Sequence, residues 1–426
     1  MFEKERKFHK ERWQRKSDQL AGRSALQKFR ETDTPDLTPD EIRDREAERD
    51  DTDFEKRKHE EFREWQKSLK VVIENFLARV KNPEDTENST MIIMMGGGMK
   101  GPYTAGQAIA LLMMGISPKT VDMVIGSSTG AVVATAFAAG LEATLKSTVM
   151  MLEELASKNF IDTARFWEII KLRLIKQLWT EAHGEYAIDT EDIRKGDMDL
   201  LYTVTEPVKG DEEPVVKHID AKTIRPGMVD GVVSSMSIPY VTGEIPEIDG
   251  VKNYDGGFGR MEIKNEIEEF KKRHGGKPPK NILILPTMPF ETLDEMKPTP
   301  SEVKFAKFAR RHAGSLVQVG SLGHSASLKQ IEKGLLLKYE QRKAFELIQK
   351  ETGVNIGVLW PPNSDLTNIG INGDDMTEAV LSSARDTFTQ CGMKQPDEIP
   401  LYESRKTRLK KLREAIENFK LQRKAA

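Results

Sequence analysis

Apolar residues in the first part of the chain recur at the spacing of a helix. Between residues 53 and 81 they stand three or four positions apart, with polar residues between them, at Trp65, Leu69, Val72, Ile73, Phe76, Leu77 and Val80. This period is typical of a helix that buries one face. We predict a helix over 53–81 that docks on the rest of the protein, with a membrane-facing or regulatory role as the alternative.

From residue 91 onward the pattern changes, and short apolar runs alternate with longer segments of helical pattern. "MIIMM" and "VDMVIG" indicate buried strands, and each is followed by a run of small and apolar residues that ends at Gly115 or Gly140. This alternation is typical of a parallel sheet with helices on both faces. The same reasoning predicts strands at 200–206, 214–220, 281–286 and 355–362, and a helix over 374–392.

Charge density and the pattern of apolar residues divide the chain into four segments. Residues 1–86 are dense in charged side chains, and "TPDE" predicts a helix start with Thr38 as its N-cap. The first fifty residues have little to bury, so part of them is expected to be disordered. We predict a charged helical extension (1–86), a core region (87–290), the C-terminal part of that region (291–400) and a basic tail (401–426).

The basic tail has the pattern of an amphipathic helix. Four apolar residues fall on one face, and arginines and lysines crowd the remainder; the apolar four are Leu409, Leu412, Ile416 and Phe419. Two interpretations stand: a solvated terminal helix packed on the body, or a helix that makes reversible peripheral contact with anionic lipid.

Composition narrows the class of protein. The formal net charge of the 426 residues is −3, so bulk charge does not favour nucleic acid as a partner. Cys391 is the single cysteine, which excludes a disulfide within the chain and suits a reducing compartment. The N-terminal residues lack the apolar region of a secretory signal, and no run is long enough for a spanning helix. We therefore expect a cytoplasmic protein.

A G-x-S-x-G pentapeptide runs from Gly126 to Gly130, after an apolar strand and at the start of a helix. This is the setting of a nucleophile elbow, in which a serine hydroxyl, here that of Ser128, projects from a tight and strained turn. The helix N-terminus beside it favours negative charge. Turns of small residues also serve packing, which is the alternative interpretation.

The stretch "GGGMKG", from Gly96 to Gly101, lies in the same way between a strand and a helix. It fits a dinucleotide-binding loop, for which Asp122 would be the ribose-binding acid of an oxidoreductase. However, Asp122 stands before the second strand, and that acid belongs at the strand's C-terminal end. A phosphate-binding P-loop is excluded, because Lys100 is followed by glycine.

An oxyanion hole is the better interpretation of this loop. The loop ends one parallel strand and the elbow ends the next, so both open at the same edge of the sheet. The backbone N–H groups of Gly97, Gly98 and Met99 would then converge near the Ser128 hydroxyl. Lys100 either positions the loop, attracts an anionic headgroup or is a surface lysine.

A serine nucleophile needs a base, and one candidate is the carboxylate of Asp255 in "VKNYDGGFG". There Asp255, Gly256 and Gly257 follow a short predicted strand. Asp-Gly is also an ordinary turn sequence. Histidines of no distinctive motif are alternative bases: His274, His312 and His324.

Taken together, "GGGMKG", "GSSTG" and "DGG" resemble the three motifs of the patatin-like phospholipases, in that family's order and spacing. The resemblance covers about residues 90–290, and the "WPP" strand and "EAVLSSARDTF" helix extend it. It implies a patatin-like three-layer α/β/α fold with a mainly parallel central sheet. The N-terminal extension and the basic tail fall outside it.

The resemblance implies a hydrolase that cleaves lipid acyl esters, like a phospholipase A or a lysophospholipase, with neither cofactor nor metal. Ser128 would attack the carbonyl and Asp255 would accept its proton. Thr129 departs from the smaller residue frequent in the family and would narrow the space beside the elbow. Three alternatives remain: an α/β-hydrolase-type esterase with a Ser-His-Asp triad, the oxidoreductase, and a non-catalytic membrane adaptor that works through the tail.

Overall fold

A computed structural model describes residues 52–97, 100–156, 190–206, 215–224, 227–237, 247–258, 262–287, 347–362 and 373–399. The predicted helix start at Thr38 and the predicted tail helix lie outside the described residues.

The elements expected from the apolar pattern are present. Their bounds differ from the predictions by one or two residues, except that the strand predicted over 355–362 ends at Val358. The described helices are α1 (Thr52–Lys81), α2 (Gly101–Met113), α3 (Thr129–Ala138), α4 (Leu141–Ala156), α5 (Thr190–Lys195), α6 (Met228–Ser235), α7 (Ile263–Arg273) and α8 (Gly373–Gln390). The described strands are β1 (Thr90–Met94), β2 (Met123–Ser127), β3 (Asp199–Glu206), β4 (Val215–Asp220), β5 (Glu247–Ile248), β6 (Val251–Lys252), β7 (Tyr254–Asp255), β8 (Asn281–Leu285) and β9 (Asn355–Val358).

Seven of these strands form one sheet, in the order β4-β3-β2-β1-β8-β9, with β7 paired to β3. The pairs from β3 through β2, β1 and β8 to β9 are parallel. Strands β4 and β7 run antiparallel to β3. The predicted mainly parallel sheet is confirmed, and because its strands are parallel, the loops that follow them meet at one edge.

The central strands β1, β2 and β8 are buried along their whole length, and they are apolar except for Thr90, Ser127 and Asn281 at their ends, because both of their faces are covered. On β1, Ile92 and Met94 pack with helices α2, α3 and α6, whereas Met91 and Ile93 pack on the opposite face with α7. Helix α8 packs outside α2 through a smaller apolar cluster. This is the predicted three-layer α/β/α arrangement. Among the described helices, none combines the length and apolar content that a membrane span requires.

Helix α1 belongs to the core, as its spacing predicted. Val72 and Phe76 are buried in the apolar cluster that also contains residues of α2, α3 and α6. Trp65 meets Trp360 edge to face, with ring centroids 6.3 Å apart. Gly357 on β9 permits the close approach of the helix, because a Cβ at that position would lie 3.0 Å from the Val72 Cβ. The division of the chain at residue 86 stays a prediction.

An ion pair joins the end of α1 to the sheet. Arg79 Nη2 lies 2.8 Å from Asp122 Oδ1, and Asp122 Oδ2 accepts a hydrogen bond from the Thr90 N–H at 2.7 Å. Asp122 immediately precedes β2 and Thr90 begins β1, so this contact lies at the N-terminal edge of the parallel strands.

We predict that truncating the buried face of α1 destabilises the whole protein. Phe76 is 0% exposed, so Phe76→Ala should lower the free energy of unfolding by about 3–5 kcal/mol, through lost burial and the cavity left behind. Val71 lies on the same helix but is 45% exposed, so Val71→Ala should change it by less than about 1 kcal/mol. Urea unfolding followed by circular dichroism measures both; equal effects would show that α1 does not contribute to the cooperative core.

Candidate active site

The elbow is a single residue long. Strand β2 ends at Ser127 and helix α3 begins at Thr129, so Ser128 alone makes the connection. Its φ of 54° and ψ of −128° are uncommon for a residue with a side chain. Ser128 is half-buried, and it stands at the N-terminus of α3 at the C-terminal edge of the sheet. The predicted strand–turn–helix context of the pentapeptide is present.

The two glycines of the pentapeptide are required by packing. A Cβ on Gly130 would lie 2.1 Å from the Met94 carbonyl oxygen. A Cβ on Gly126 would lie 2.6 Å from the Ala131 Cα. Helix α3 therefore packs directly against the backbone at the ends of β1 and β2, which brings the elbow beside the loop that follows β1.

The glycine loop adjoins the serine. A Cβ on Gly96 would lie 2.4 Å from the Ser128 Cβ and 3.2 Å from its Oγ, so only glycine fits there. The Lys100 N–H donates to the Gly97 carbonyl at 3.1 Å and closes a turn before α2. Gly101 then packs on Thr129, since a Cβ on Gly101 would lie 3.2 Å from the Thr129 Cβ.

Two predicted oxyanion-hole residues, Gly98 and Met99, lie outside the described residues. The third, Gly97, is described, and no acceptor for its N–H lies among the residues that the structure describes. That N–H is therefore an available donor in the loop beside Ser128.

Strand pairing places Asp255 next to the elbow. Strand β3 is longer than β2, and β2 pairs with it only as far as Ser127, whose partner is Thr203. Strand β7 then takes the vacated position beside β3, where Asp255 pairs with Val204. Ser127 is paired with Thr203, and the next residue of β3, Val204, is paired with Asp255. Ser128 directly follows Ser127, so Ser128 and Asp255 both lie at the level of Val204.

Local hydrogen bonds hold Asp255, whose side chain is buried with 5% exposed. Its backbone N–H donates to the Ser237 carbonyl at 2.7 Å, and its Oδ1 accepts from the Gly257 N–H at 2.7 Å. Gly256 packs tightly on the sheet, because a Cβ there would lie 2.5 Å from the Thr203 carbonyl oxygen. The two glycines thus let the turn orient the carboxylate.

The sheet separates Asp255 from a second buried polar group. Cross-strand partners share a face, so Asp255 lies with Val204 on the side that α3 and α6 cover. Thr203 alternates to the other face, and its partners Ser127 and His218 lie there with it. His218 is consequently on the opposite face of the sheet from Asp255.

None of the described histidines meets the elbow. His274 ends α7, which runs from the edge where Asp255 lies toward the edge where β8 starts, and its ring stacks on Phe270 with centroids 3.9 Å apart. His312 and His324, the other predicted alternatives, lie outside the described residues.

The dinucleotide interpretation of the glycine loop finds no support in the position of Asp122. Its carboxylate is engaged by Arg79 and by the start of β1, at the edge of the sheet opposite the glycine loop. Within the described residues, no cluster of three His, Cys, Asp or Glu side chains could hold a metal ion.

Two residues that sequence reasoning missed support the site. Ser235, in α6, accepts the Ser128 N–H at 3.0 Å and donates its hydroxyl to the Thr203 carbonyl at 2.7 Å. Thr287, just past β8, donates its hydroxyl to the Gly96 carbonyl at 2.9 Å. Both are buried hydroxyls distant in sequence from their partners, and neither lies in a local motif from which the contact could be inferred.

An ion pair between His218 and Glu266 is buried on the α7 face. Burial by itself lowers the pKa of His218, but the hydrogen bond and charge of Glu266, with a further contribution from Glu269, outweigh it and raise the pKa; Lys272 opposes them. A raised histidine pKa means that protonation of His218 stabilises the folded state.

The stabilisation by His218 should therefore be full below the unfolded pKa of about 6.5 and be lost as pH rises through the higher folded pKa. We expect the urea concentration at the unfolding midpoint of the wild type to decrease as pH rises above about 6.5. Glu266→Gln removes the pair, so its midpoint should be lower at the acid end and change less with pH. Parallel midpoints for the two proteins over this range would contradict the pair's contribution.

Comparison with known proteins identifies the class. Residues 92–262 match the family model of the patatin-like phospholipases. The chain therefore contains a patatin-like phospholipase domain, the family that its three motifs resemble. A domain of this family indicates a lipid acyl hydrolase with a lipid substrate.

Among solved structures, the crystal structure of VipD from Legionella pneumophila is similar to this chain at 13% identity. The similarity covers 72% of this chain and 67% of that chain, with a TM-score of 0.29, which is too distant to bear on the site. No curated protein matches the sequence.

Proposed function

We propose that this protein hydrolyses acyl esters of lipids with Ser128 as nucleophile and Asp255 as general base. One observation carries the proposal. The glycine loop touches the elbow serine, and strand pairing brings Asp255 to the same point of the same sheet edge. This arrangement supports Ser128 as the nucleophile, Asp255 as the base and the glycine loop as a source of backbone donors.

In the first step, the Ser128 hydroxyl attacks the acyl carbonyl and gives its proton to the Asp255 carboxylate. Negative charge then develops on the carbonyl oxygen. The Gly97 N–H, together with those of Gly98 and Met99, would stabilise it. The proton passes from Asp255 to the departing alcohol, which leaves an acyl ester on Ser128.

In the second step, water gives a proton to Asp255 and attacks the acyl ester of Ser128. The same oxyanion donors act again, and collapse of the second intermediate returns the proton to Ser128 and releases the fatty acid. The substrate class that suits this chemistry is a phospholipid or lysophospholipid. Peripheral contact of the basic tail with anionic lipid stays a prediction.

We expect Ser128→Ala and Asp255→Asn each to lower kcat on p-nitrophenyl esters about 10³-fold or more, because each removes a group that takes part directly in the reaction. A fluorophosphonate probe should label the wild type on Ser128 only, as located by mass spectrometry. His274→Ala is the matched control, and it should retain kcat within about twofold, because that ring is engaged at the far end of α7.

Wild-type turnover in Ser128→Ala, or a probe adduct on another residue, would remove the nucleophile assignment. Loss of activity in His274→Ala with retention in Asp255→Asn would instead support a Ser-His-Asp triad.

A further inference from the structure

The end of β8 holds the glycine loop at two points. The Met95 N–H donates to the Leu285 carbonyl at 3.0 Å, which extends the pairing of β1 with β8 by one residue. Two residues further on, Thr287 donates its hydroxyl to the Gly96 carbonyl at 2.9 Å. Thr287 is 3% exposed, so its hydroxyl has little access to solvent as an alternative partner. The second contact comes from a side chain, so it depends on the residue type at position 287.

This hydrogen bond fixes the direction of one peptide group. In a trans peptide the C=O of one residue and the N–H of the next point in opposite directions. The Gly96 carbonyl is directed at Thr287 on the β8 side, so the Gly97 N–H is directed away from β8. In the sheet order, β1 lies between β8 and β2. The opposite direction is therefore that of β2, which ends at the elbow.

The loop itself does not favour either orientation of this peptide. Gly96, Gly97 and Gly98 are consecutive, and glycine populates regions of backbone space that other residues avoid. A flip of the Gly96–Gly97 peptide would direct a carbonyl oxygen toward Ser128, where it would repel a developing oxyanion. An external contact has to select the productive orientation.

We propose that Thr287 is a positioning residue for the oxyanion hole. Its hydroxyl holds the Gly96 carbonyl and thereby aims the Gly97 N–H at the carbonyl oxygen of the substrate. Close packing supports the contact, because a Cβ on Gly97 would lie 2.1 Å from the Thr287 Oγ1. The inference rests on the proposed function, since it concerns the intermediate formed at Ser128.

Three substitutions at position 287 test the role of the hydroxyl. Thr287→Val keeps the shape and removes the donor, Thr287→Ser keeps the donor, and Thr287→Ala differs from the serine variant by the hydroxyl alone. We expect the valine and alanine variants to lose about 10- to 100-fold in kcat, less than the ~10²–10³ that loss of an oxyanion donor costs, because the peptide still samples the productive orientation.

The Michaelis constant should change by less than about twofold in these variants, because the donor acts on the transition state rather than on the bound ester. The serine variant should stay within about threefold of the wild-type kcat, although it lacks the methyl group. If Thr287 served packing alone, the loss in kcat would instead depend on the size of the side chain at position 287. The serine variant would then lose as much as the alanine variant.

A matched control is Thr387→Val on α8. Thr387 is 1% exposed and donates its hydroxyl to the Ser383 carbonyl at 2.8 Å, so the same chemical change is made in a similar setting. This variant should keep the wild-type kcat. Thermal unfolding of every variant separates loss of folding from loss of rate, and if the valine variant does not fold, the serine and alanine pair decides.

An unchanged kcat in Thr287→Val, or equal losses in the serine and alanine variants, would overturn the inference. These outcomes are distinct from failure of the proposed function. If Ser128→Ala hydrolyses esters as fast as the wild type, both proposals fall. If Ser128→Ala is inactive and the valine variant is fully active, the proposal for Thr287 alone is wrong.

Discussion

The close approach of two backbones at the C-terminal edge of the sheet sets the geometry of everything around it. Strands β1 and β2 run parallel, with Met94 opposite Gly126, so the loop after the first and the elbow after the second leave the sheet at the same level. Gly130 then allows the first turn of α3 to rest on the Met94 carbonyl. Larger residues in place of Gly126 and Gly130 would force α3 away from the sheet and separate Ser128 from the glycine loop.

A difference in strand length accounts for the position of the carboxylate. Strand β3 has eight residues and β2 has five, so β3 extends past the elbow and offers unpaired backbone groups there. The two-residue strand β7 pairs with β3 at Val204 and Thr205, and Asp255 is one of the two residues of β7. The need to pair backbone groups at the end of β3 thus places an acidic side chain beside Ser128.

The elements and the shared edge were predictable from sequence because they follow from local signals. Apolar periodicity located the strands and helices, and glycine-rich turns after β1 and β2 indicated where the loops would meet. The supports of the site were not predictable in the same way. Thr287 lies 191 residues from Gly96 and Ser235 lies 107 residues from Ser128, and a buried hydroxyl between such partners has no local pattern.

The part of the chain that matches the family model ends at residue 262, yet the site depends on elements on both sides of it. Strand β8 and Thr287, which lies just past the end of that strand, follow the matched region, and α1 precedes it. Helix α1 packs on β9 and reaches β8 through Asn75, whose amide donates to the Asn281 side chain at 2.7 Å. The helix, the outer strands and Thr287 therefore form a continuous path to Gly96. The glycines of the loop favour no single backbone conformation, so contacts from that packed edge are what fix the orientation of the loop. If Thr287 positions the oxyanion hole as we propose, the sequence outside the matched region acts on the chemistry inside it.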